Sequence, residues 1–311
     1  EMDGQQLDAM RNVREVHRYV ALLKDFARKK DLSNGTSLHL DIRKRGFLKR
    51  SVYLHLSSSL INMYAKCGAL DKAHEVLEEL HIRNEFSWNA LVSGYAQHGF
   101  GQEAINCFDR MQAEGLTPDA ITFTAILKAC GKIGSIHKGK QIHDVIVSRG
   151  LLEKDIVLGN ALVDMYAKCG VLGKAQEVLE GLPNRNVVSW STLIVGYAQQ
   201  GQCHEAFNCL KRMRSEGLSP NTVTFISILK ACMNTGAINK GKHIHDEIVR
   251  RGLLKEDIVL GTTLVDMYAR CGMLVKAQDV LEELPLRNVV CWNALIGGYA
   301  QEGHGNEAIN C

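Results

Sequence analysis

The chain of 311 residues is long enough for one large domain or two ordinary ones with a sizeable buried core. Its hydrophobic fraction of 46% and charged fraction of 23% are those of a folded protein and exclude a disordered one. No apolar run approaches the roughly 18 residues that cross a bilayer, and a net charge of +3 only mildly favours an anionic partner. We therefore expect a folded protein without a membrane-spanning helix.

An interval of 102 residues organises the sequence. The stretch LINMYAKCG at 60–68 returns as LVDMYAKCG at 162–170 and as LVDMYARCG at 264–272. Tryptophan, tyrosine and cysteine residues return at the same interval, for example at Trp88 and Trp190. Aromatic residues in a fixed helical phase are typical of core packing. Cysteines that recur once per interval, without any C-x-x-C pair, are typical of small apolar residues in a reducing compartment.

Each interval divides into three segments of 35, 36 and 31 residues, and each segment is predicted to form two helices. In 187–221, Gly201 ends the first predicted helix and Gly217 the second. A hairpin of two short helices cannot bury its apolar face alone, so successive hairpins must stack into an α-solenoid. The predicted segments are 1–15 (a polar capping segment), 16–53 (a degenerate 36-residue type), 54–84, 85–119, 120–155, 156–186, 187–221, 222–257, 258–288 and 289–311 (incomplete).

Three stretches imitate enzyme motifs without completing them. GSIHKGK at 134–140 and GAINKGK at 236–242 have the spacing of a phosphate-binding loop, but no hydroxyl residue follows and no strand precedes. His245-Asp246-Glu247 matches half of a zinc deaminase signature whose C-x-x-C half is missing. We therefore expect no catalysis, no cofactor and no metal site in this chain.

The ordered segments, with MYAKCG in the short one and G-L-x-P-N closing the long one, resemble pentatricopeptide repeats. They are similar to the P (35), L (36) and S (31) triplets of plant organelle proteins, and the resemblance runs from about residue 16 to the end. The related tetratricopeptide period of 34 residues, which is typical of peptide-binding proteins, does not occur.

That resemblance implies an all-α, right-handed α-solenoid in P-L-S triplets that binds single-stranded RNA, one base per repeat. It further implies the recognition tract of a C-to-U editing factor in a mitochondrion or chloroplast, a monomer with accessory proteins docking on L repeats. The sequence stops inside a predicted helix, so we expect a piece of a longer protein, beyond which a deaminase domain often follows in this family. The alternatives are a protein-binding scaffold, an RNA processing or stability factor without a role in editing, and an RNA-processing enzyme.

In this family the fifth residue of the first helix and the last residue of the repeat contact the base edge. The base-reading pairs that transfer, with the base each favours in the family's code, are Ser58 and Asn84 (adenine), Asn89 and Asp119 (uracil), Thr124 and Asp155 (guanine), Asn160 and Asn186 (pyrimidine), Ser191 and Asn221 (adenine), Thr262 and Asn288 (adenine), and Asn293 alone (pyrimidine). Ile226 places an aliphatic side chain where an edge reader belongs. The resulting expected site is A-U-G-Y-A-N-A-Y, where Y is a pyrimidine and N any base.

The second residue of the first helix packs on the base face in this family. The base-stacking residues that transfer are Phe86, Val157, Val188, Val259 and Val290. His55 departs from that apolar pattern and weakens its repeat. Lys66, Lys168 and Arg270 share one phase of the S repeat and are expected to face phosphates, with a solvated surface position as the alternative. For Asn and Ser near helix starts, the alternative is simple helix capping.

Overall fold

The computed structural model describes residues 4–49, 53–255 and 257–311, and in these ranges every regular element is a helix. The helices α1 to α18 are, in chain order, Gly4–Lys29, Leu32–Lys44, Leu54–Lys66, Leu70–Glu79, Glu85–His98, Gly101–Ala113, Ala120–Ile133, Ile136–Ser148, Ile156–Lys168, Leu172–Gly181, Val187–Gln199, Cys203–Ser215, Thr222–Thr235, Ile238–Arg250, Ile258–Arg270, Leu274–Glu283, Val289–Gln301 and Gly305–Asn310. None of the described helices has the length and apolarity needed to span a membrane.

The helices form consecutive hairpins of the α-solenoid class, as the sequence predicts. The chain divides into two compact halves, Glu1–Met165 and Tyr166–Cys311. In the first half α3 packs on α5 and α5 on α7; in the second half α11 packs on α13, α13 on α15 and α15 on α17. Within each half, the first helix of one of these hairpins therefore lies beside the first helix of the next, so side chains at equal positions of these neighbouring repeats become neighbours in space.

The amino-terminal end differs from the expected division at residue 15. Helix α1 runs without a break from Gly4 to Lys29, so the expected boundary between 1–15 and 16–53 falls inside one helix. Its buried face carries Val16, Tyr19 and Leu23, and the helix packs on α2 and α3. Residues 1–3 of the expected capping segment lie outside the described residues.

Three P-repeat helices approach the preceding S-repeat helix at a glycine, which is Gly94, Gly196 or Gly298. A Cβ placed on Gly196 would lie 2.9 Å from the Cβ of Ala167 and 2.8 Å from Cδ2 of Leu172. A Cβ placed on Gly94 would lie 2.6 Å from the Cβ of Ala65. Real Cβ atoms do not pack at such distances, so glycine here permits close approach of the two backbones.

In each complete P repeat a buried tryptophan bonds a glutamate of the same repeat, and an arginine of the S repeat before it pairs with that glutamate. Trp190 is fully buried, and its Nε1 donates to Oε2 of Glu216 at 2.7 Å. Oε1 of Glu216 forms an ion pair with Nε of Arg185 at 2.9 Å. The guanidinium of Arg212 lies 5.2 Å from the ring centroid of Trp190. Trp88 and Glu114 repeat the hydrogen bond at 3.0 Å. Trp88 and Trp190 thus belong to the core, as their phase predicts, whereas Trp292 is half-buried.

The residues of the incomplete enzyme motifs have structural roles. Residues 134–140 and 236–242 link or begin helices, without a strand before them among the described residues. His245 is buried, its Nδ1 lies 2.9 Å from the hydroxyl of Tyr268, and burial lowers its pKa. Burial also raises the pKa of the Cys107 and Cys209 thiols to about 12, as expected for core cysteines. In the described part of the chain, no three His, Cys, Asp or Glu side chains are grouped to hold a metal ion.

Candidate nucleic-acid interface

The last residue of a repeat is the N-cap residue of the next repeat's first helix. Asn84, Asp119, Asn186, Asn221 and Asn288 each accept the backbone N–H three residues later through a side-chain oxygen. The capping explanation considered for these residues is therefore correct for one side-chain atom. Each of these side chains has a second polar atom, the amide nitrogen of Asn or the other carboxylate oxygen of Asp, which capping does not occupy.

In the joint between repeats 54–84 and 85–119, the two expected reading residues meet. Oγ of Ser58 lies 3.2 Å from Oδ1 of Asn84 and 3.0 Å from Oγ of Ser87. Ser87 is fully buried and donates its hydroxyl to Oδ1 of Asn84 at 2.8 Å. Because that oxygen receives both the backbone N–H and the hydroxyl of Ser87, the Nδ2 donor of Asn84 is left for another partner.

The joint between repeats 85–119 and 120–155 repeats this arrangement with different groups. Nδ2 of Asn89 donates to Oδ2 of Asp119 at 2.9 Å. Thr122, which is fully buried, donates to Oδ1 of Asn89 or to Oδ1 of Asp119, the latter at 2.8 Å. The oxygen of the Asn89 amide is thus held inside the joint, and the second hydrogen of its Nδ2 remains available.

In the second half, the joint after repeat 187–221 resembles the joint around Ser58, whose hydroxyl also donates to the carbonyl of Leu54 in its own helix at 3.0 Å. Oγ of Ser191 lies 2.6 Å from Oγ1 of Thr224, which donates to Oδ1 of Asn221 at 2.8 Å. Thr224 is fully buried, Ser191 is nearly so and Asn221 is exposed. Buried hydroxyls are therefore linked to a closing side chain that solvent can reach.

Repeat 258–288 uses a thiol in place of the third hydroxyl. Oγ1 of Thr262 donates to the carbonyl of Ile258 at 2.8 Å and lies 2.9 Å from Sγ of the buried Cys291. Asn288 accepts the backbone N–H of Cys291 at 2.9 Å. Thr262 therefore directs its hydrogen into its own helix.

The L repeats close differently. Asp155 and Asp257 each accept two backbone N–H groups through one oxygen, and the third residue of the following helix is Leu158 or Leu260, which offers no hydroxyl. Ile226 is half-buried at the fifth position. These two joints consequently lack the side-chain network of the others.

Four further expected reading residues lie in or at the start of first helices. Asn160 belongs to the first compact half and Asn186 to the second. Asn186 caps α11 in a reciprocal bond with Ser189, at 3.0 Å and 3.2 Å. Asn293 is exposed on α17. Thr124 is half-buried on α7.

The second residue of the first helix is apolar and exposed in both halves. Phe86, Val157, Val188, Val259 and Val290 have 54–70% of their surface exposed. Ile121 and Val223 occupy the same position in the L repeats and are 66% and 53% exposed, which sequence reasoning did not include. Their place as second residue of the first helix, the same as that of Phe86 and Val188, could have identified them from the sequence.

Two cavities connect these positions. One of about 470 Å³ is lined by His55, Phe86, Ser58 and Asn84, so it lies between the second residues of two consecutive repeats and reaches one reading pair. The other, also about 470 Å³, is lined by Thr262, Asn293, Val290 and Arg270. Both have the size of small-molecule sites, which span about 300–1,000 Å³.

The three expected phosphate contacts are exposed at the carboxyl ends of the first helices of S repeats. Arg270 pairs with Asp266 at 2.9 Å, four residues earlier. Lys66 has Asn62 at that position, and Lys168 has Asp164. Lys230, from the preceding L repeat, lines the same cavity as Arg270. This surface is therefore locally basic at some repeats and partly neutralised at others.

The fold and this surface define a helical-repeat protein whose first helices carry an exposed apolar second residue in most repeats and a polar pair at several joints. The comparisons with known proteins agree. The PPR repeat family matches residues 83–132 and 185–234, and the PPR repeat matches 57–84, 121–151, 262–289 and 290–311, together more than half of the chain. The chain belongs to the pentatricopeptide repeat family.

Two relatives from one plant are similar to most of this chain. A chloroplastic pentatricopeptide repeat-containing protein of Arabidopsis thaliana is 37% identical over 93% of this chain and 46% of its own length. A putative mitochondrial one from the same plant is 37% identical over 94% of this chain and 46% of its own length. The chain thus spans about half the length of these relatives.

Among solved structures, the pentatricopeptide repeat protein PPR10 in complex with an 18-nt psaJ RNA element has a TM-score of 0.72 at 21% identity, over 88% of this chain and 41% of that chain. A second structure, of PPR10 from maize, has a TM-score of 0.69 at 20% identity, over 95% of this chain and 44% of that chain. These likenesses establish the solenoid fold.

Proposed function

We propose that the chain binds single-stranded RNA in sequence-specific fashion, with one base per repeat. The observation that supports it best is the pairing of the fifth and last residues at the joints, where the hydrogen bonds within the joint leave a defined polar atom that the joint does not use. The exposed apolar second residues then offer surfaces on which base faces stack. PPR10, whose fold this chain shares, was solved with a bound RNA element.

The polarity of each pair fits the expected base. At Ser191 and Asn221, an outward hydroxyl lone pair stands beside an outward amide donor. That pattern complements adenine, whose Watson–Crick edge has an amino donor next to a ring-nitrogen acceptor. At Asn89 and Asp119, an amide donor stands beside a carboxylate acceptor, which complements the carbonyl and imino groups of uracil.

Hydrogen-bond polarity alone groups adenine with cytosine and uracil with guanine. Side-chain length separates the members of each group, since a short serine leaves room for a purine and the longer asparagine suits a pyrimidine. The proposed site therefore reads A-U-G-Y-A-N-A-Y in the chain order of repeats 54–84 to 289–311. The L repeats contribute least, because Ile226 cannot read an edge.

The test measures affinity by fluorescence anisotropy for the RNA AUGCAUAC and for RNAs with one base replaced. Replacing the fifth base, adenine, by uracil should weaken binding roughly 10-fold, as loss of one edge-reading pair does in DNA recognition. Replacing the sixth base should change affinity less than about 2-fold, because no polar pair faces it. Equal affinity for the cognate and a scrambled RNA contradicts the proposal and favours a protein-binding scaffold.

We further propose that this tract serves a C-to-U editing factor in a chloroplast or mitochondrion. The P-L-S order of segment lengths and the organelles named for its relatives support this role. On this proposal the chain has no catalytic site of its own, acts as a monomer, and presents L repeats to accessory proteins. In plants lacking the protein, edited cytidines should be lost at a constant distance from the bound sequence. Loss of transcripts without any editing change would favour a processing or stability factor.

A further inference from the structure

The hydroxyl at the third position of the following repeat has no role in the pairwise description of base reading. It is supplied by Ser87, Thr122 and Thr224 in the described pairs, and all three are fully buried. In each case it touches both the fifth and the last residue of the repeat before it. Three side chains from two repeats therefore form one network.

The network matters because serine and asparagine are ambivalent. A serine hydroxyl can donate or accept, and an asparagine amide can present either its oxygen or its nitrogen. A base pocket built from such residues discriminates only if something inside the protein fixes which face points outward. A buried hydroxyl with one hydrogen and two lone pairs is suited to that task.

At repeat 187–221 the directions follow from the donors available. Oδ1 of Asn221 can only accept, so Thr224 directs its single hydrogen to that atom at 2.8 Å. The hydrogen of Ser191 then goes to Oγ1 of Thr224 at 2.6 Å, which is much nearer than its other acceptor, Oδ1 of Asn221 at 3.5 Å. The hydrogen of Ser191 is thereby used inside the joint, and Ser191 faces outward as an acceptor.

After repeat 85–119 the third-position hydroxyl, that of Thr122, contacts asparagine rather than serine, and its effect on polarity is the opposite. The hydroxyl of Thr122 lies against the oxygen of the Asn89 amide, so the amide nitrogen faces Oδ2 of Asp119 and keeps one hydrogen that the joint does not use. One buried hydroxyl thus makes an acceptor of serine and a donor of asparagine. The two outcomes correspond to the opposite edge polarities of adenine and uracil.

We propose that a serine or threonine at the third position of the following repeat is a positioning residue that sets the hydrogen-bond polarity of base reading. This inference rests on the proposed RNA-binding function. It also accounts for the weak L repeats, because Leu158 and Leu260 stand at the third position after them and cannot orient Thr124 or any other fifth residue.

The test replaces Thr224 by valine, which keeps the shape and removes the hydroxyl. The freed Ser191 hydroxyl then donates as readily as it accepts, so the preference for adenine over uracil at this repeat should fall about 5-fold, the worth of one neutral hydrogen bond. Affinity for RNA carrying uracil there should not fall. Thr224→Ser keeps the hydroxyl and should retain the preference.

Cys291→Val is the matched control at a buried third position. Thr262 directs its hydrogen to the carbonyl of Ile258, so its polarity does not depend on Cys291, and the adenine preference of repeat 258–288 should stay unchanged. Circular dichroism at the assay temperature confirms folding of each variant. An unchanged adenine-to-uracil ratio in folded Thr224→Val overturns the inference, and so does an equal loss in Thr224→Ser. Absence of any base preference in the unaltered chain would instead overturn the proposed function.

Discussion

A single side chain at a repeat joint serves both the fold and the surface. Asn221 caps α13 through Oδ1, a contact whose loss typically costs about 1 kcal/mol. Its Nδ2 is left outside the joint. Substitutions at closing positions therefore act on stability as well as recognition, and Asn to Asp, which preserves the cap oxygen, separates the two effects.

The residue-scale prediction exchanges one reading pair for another. The double variant Ser191→Asn, Asn221→Asp recreates the pair Asn89 and Asp119, and Thr224 already stands where Thr122 stands beside that pair. The base preferred at this repeat should change from adenine to uracil, with a change in discrimination of about 1–3 kcal/mol. Competition binding with RNAs that differ only at the fifth base measures it. Preference at repeat 258–288 serves as the internal reference, and a shift there would contradict the assignment of positions.

The sequence alone predicts some residues of the site but not others. The fifth, last and second positions follow from the family resemblance, and the structure brings Ser58 to Asn84 and Asn89 to Asp119. The third-position hydroxyls were missed because a serine or threonine three residues after an N-cap looks like an ordinary helix start. Only the stacking of hairpins brings Thr224 to Ser191, 33 residues away.

At the scale of helices, hydrophobic phase and glycine position predict the hairpins from α3 onward. They do not predict helix α1, because residues 1–15 have no counterpart in the repeat and the sequence there gives no stop before Lys30. The Trp190 and Glu216 bond was also beyond prediction, since it depends on a residue that follows the end of α12. Periodicity identifies which residues are buried but not which polar partner each will meet.

Close helix approach yields the element-scale prediction. Gly196→Ala should lower the free energy of unfolding by about 1–3 kcal/mol, because its Cβ would clash with Ala167 and α11 would have to move away from α9. Gly297→Ala is the control, since a Cβ there meets nothing within 4 Å and alanine favours a helix by about 1 kcal/mol. Urea unfolding followed by circular dichroism measures both. Stabilisation by both substitutions would show that the glycine contact is not tight.

At the scale of the whole chain, specificity and affinity come from different atoms. The reading pairs are neutral or acidic, so they cannot supply the attraction to phosphates that dominates most nucleic-acid affinity. A net charge of +3 is small, and the cations nearest the reading face have to supply that attraction. Lys66, Lys168 and Arg270 are the proposed ones, at one position of each S repeat.

This division predicts the response to salt. For single strands, each phosphate contact contributes about 0.7 to the slope of log affinity against log salt concentration. Replacing Lys66, Lys168 and Arg270 by glutamine should therefore reduce that slope by about 2 and weaken binding of every RNA alike. The control replaces Lys72, Lys174 and Lys276, which recur at the same interval on the second helices of the same repeats. Both triple variants lose three charges, so equal slopes would mean that only net charge matters and that the first-helix cations do not contact phosphates. A smaller slope confined to the first-helix variant would support phosphate contacts at that face.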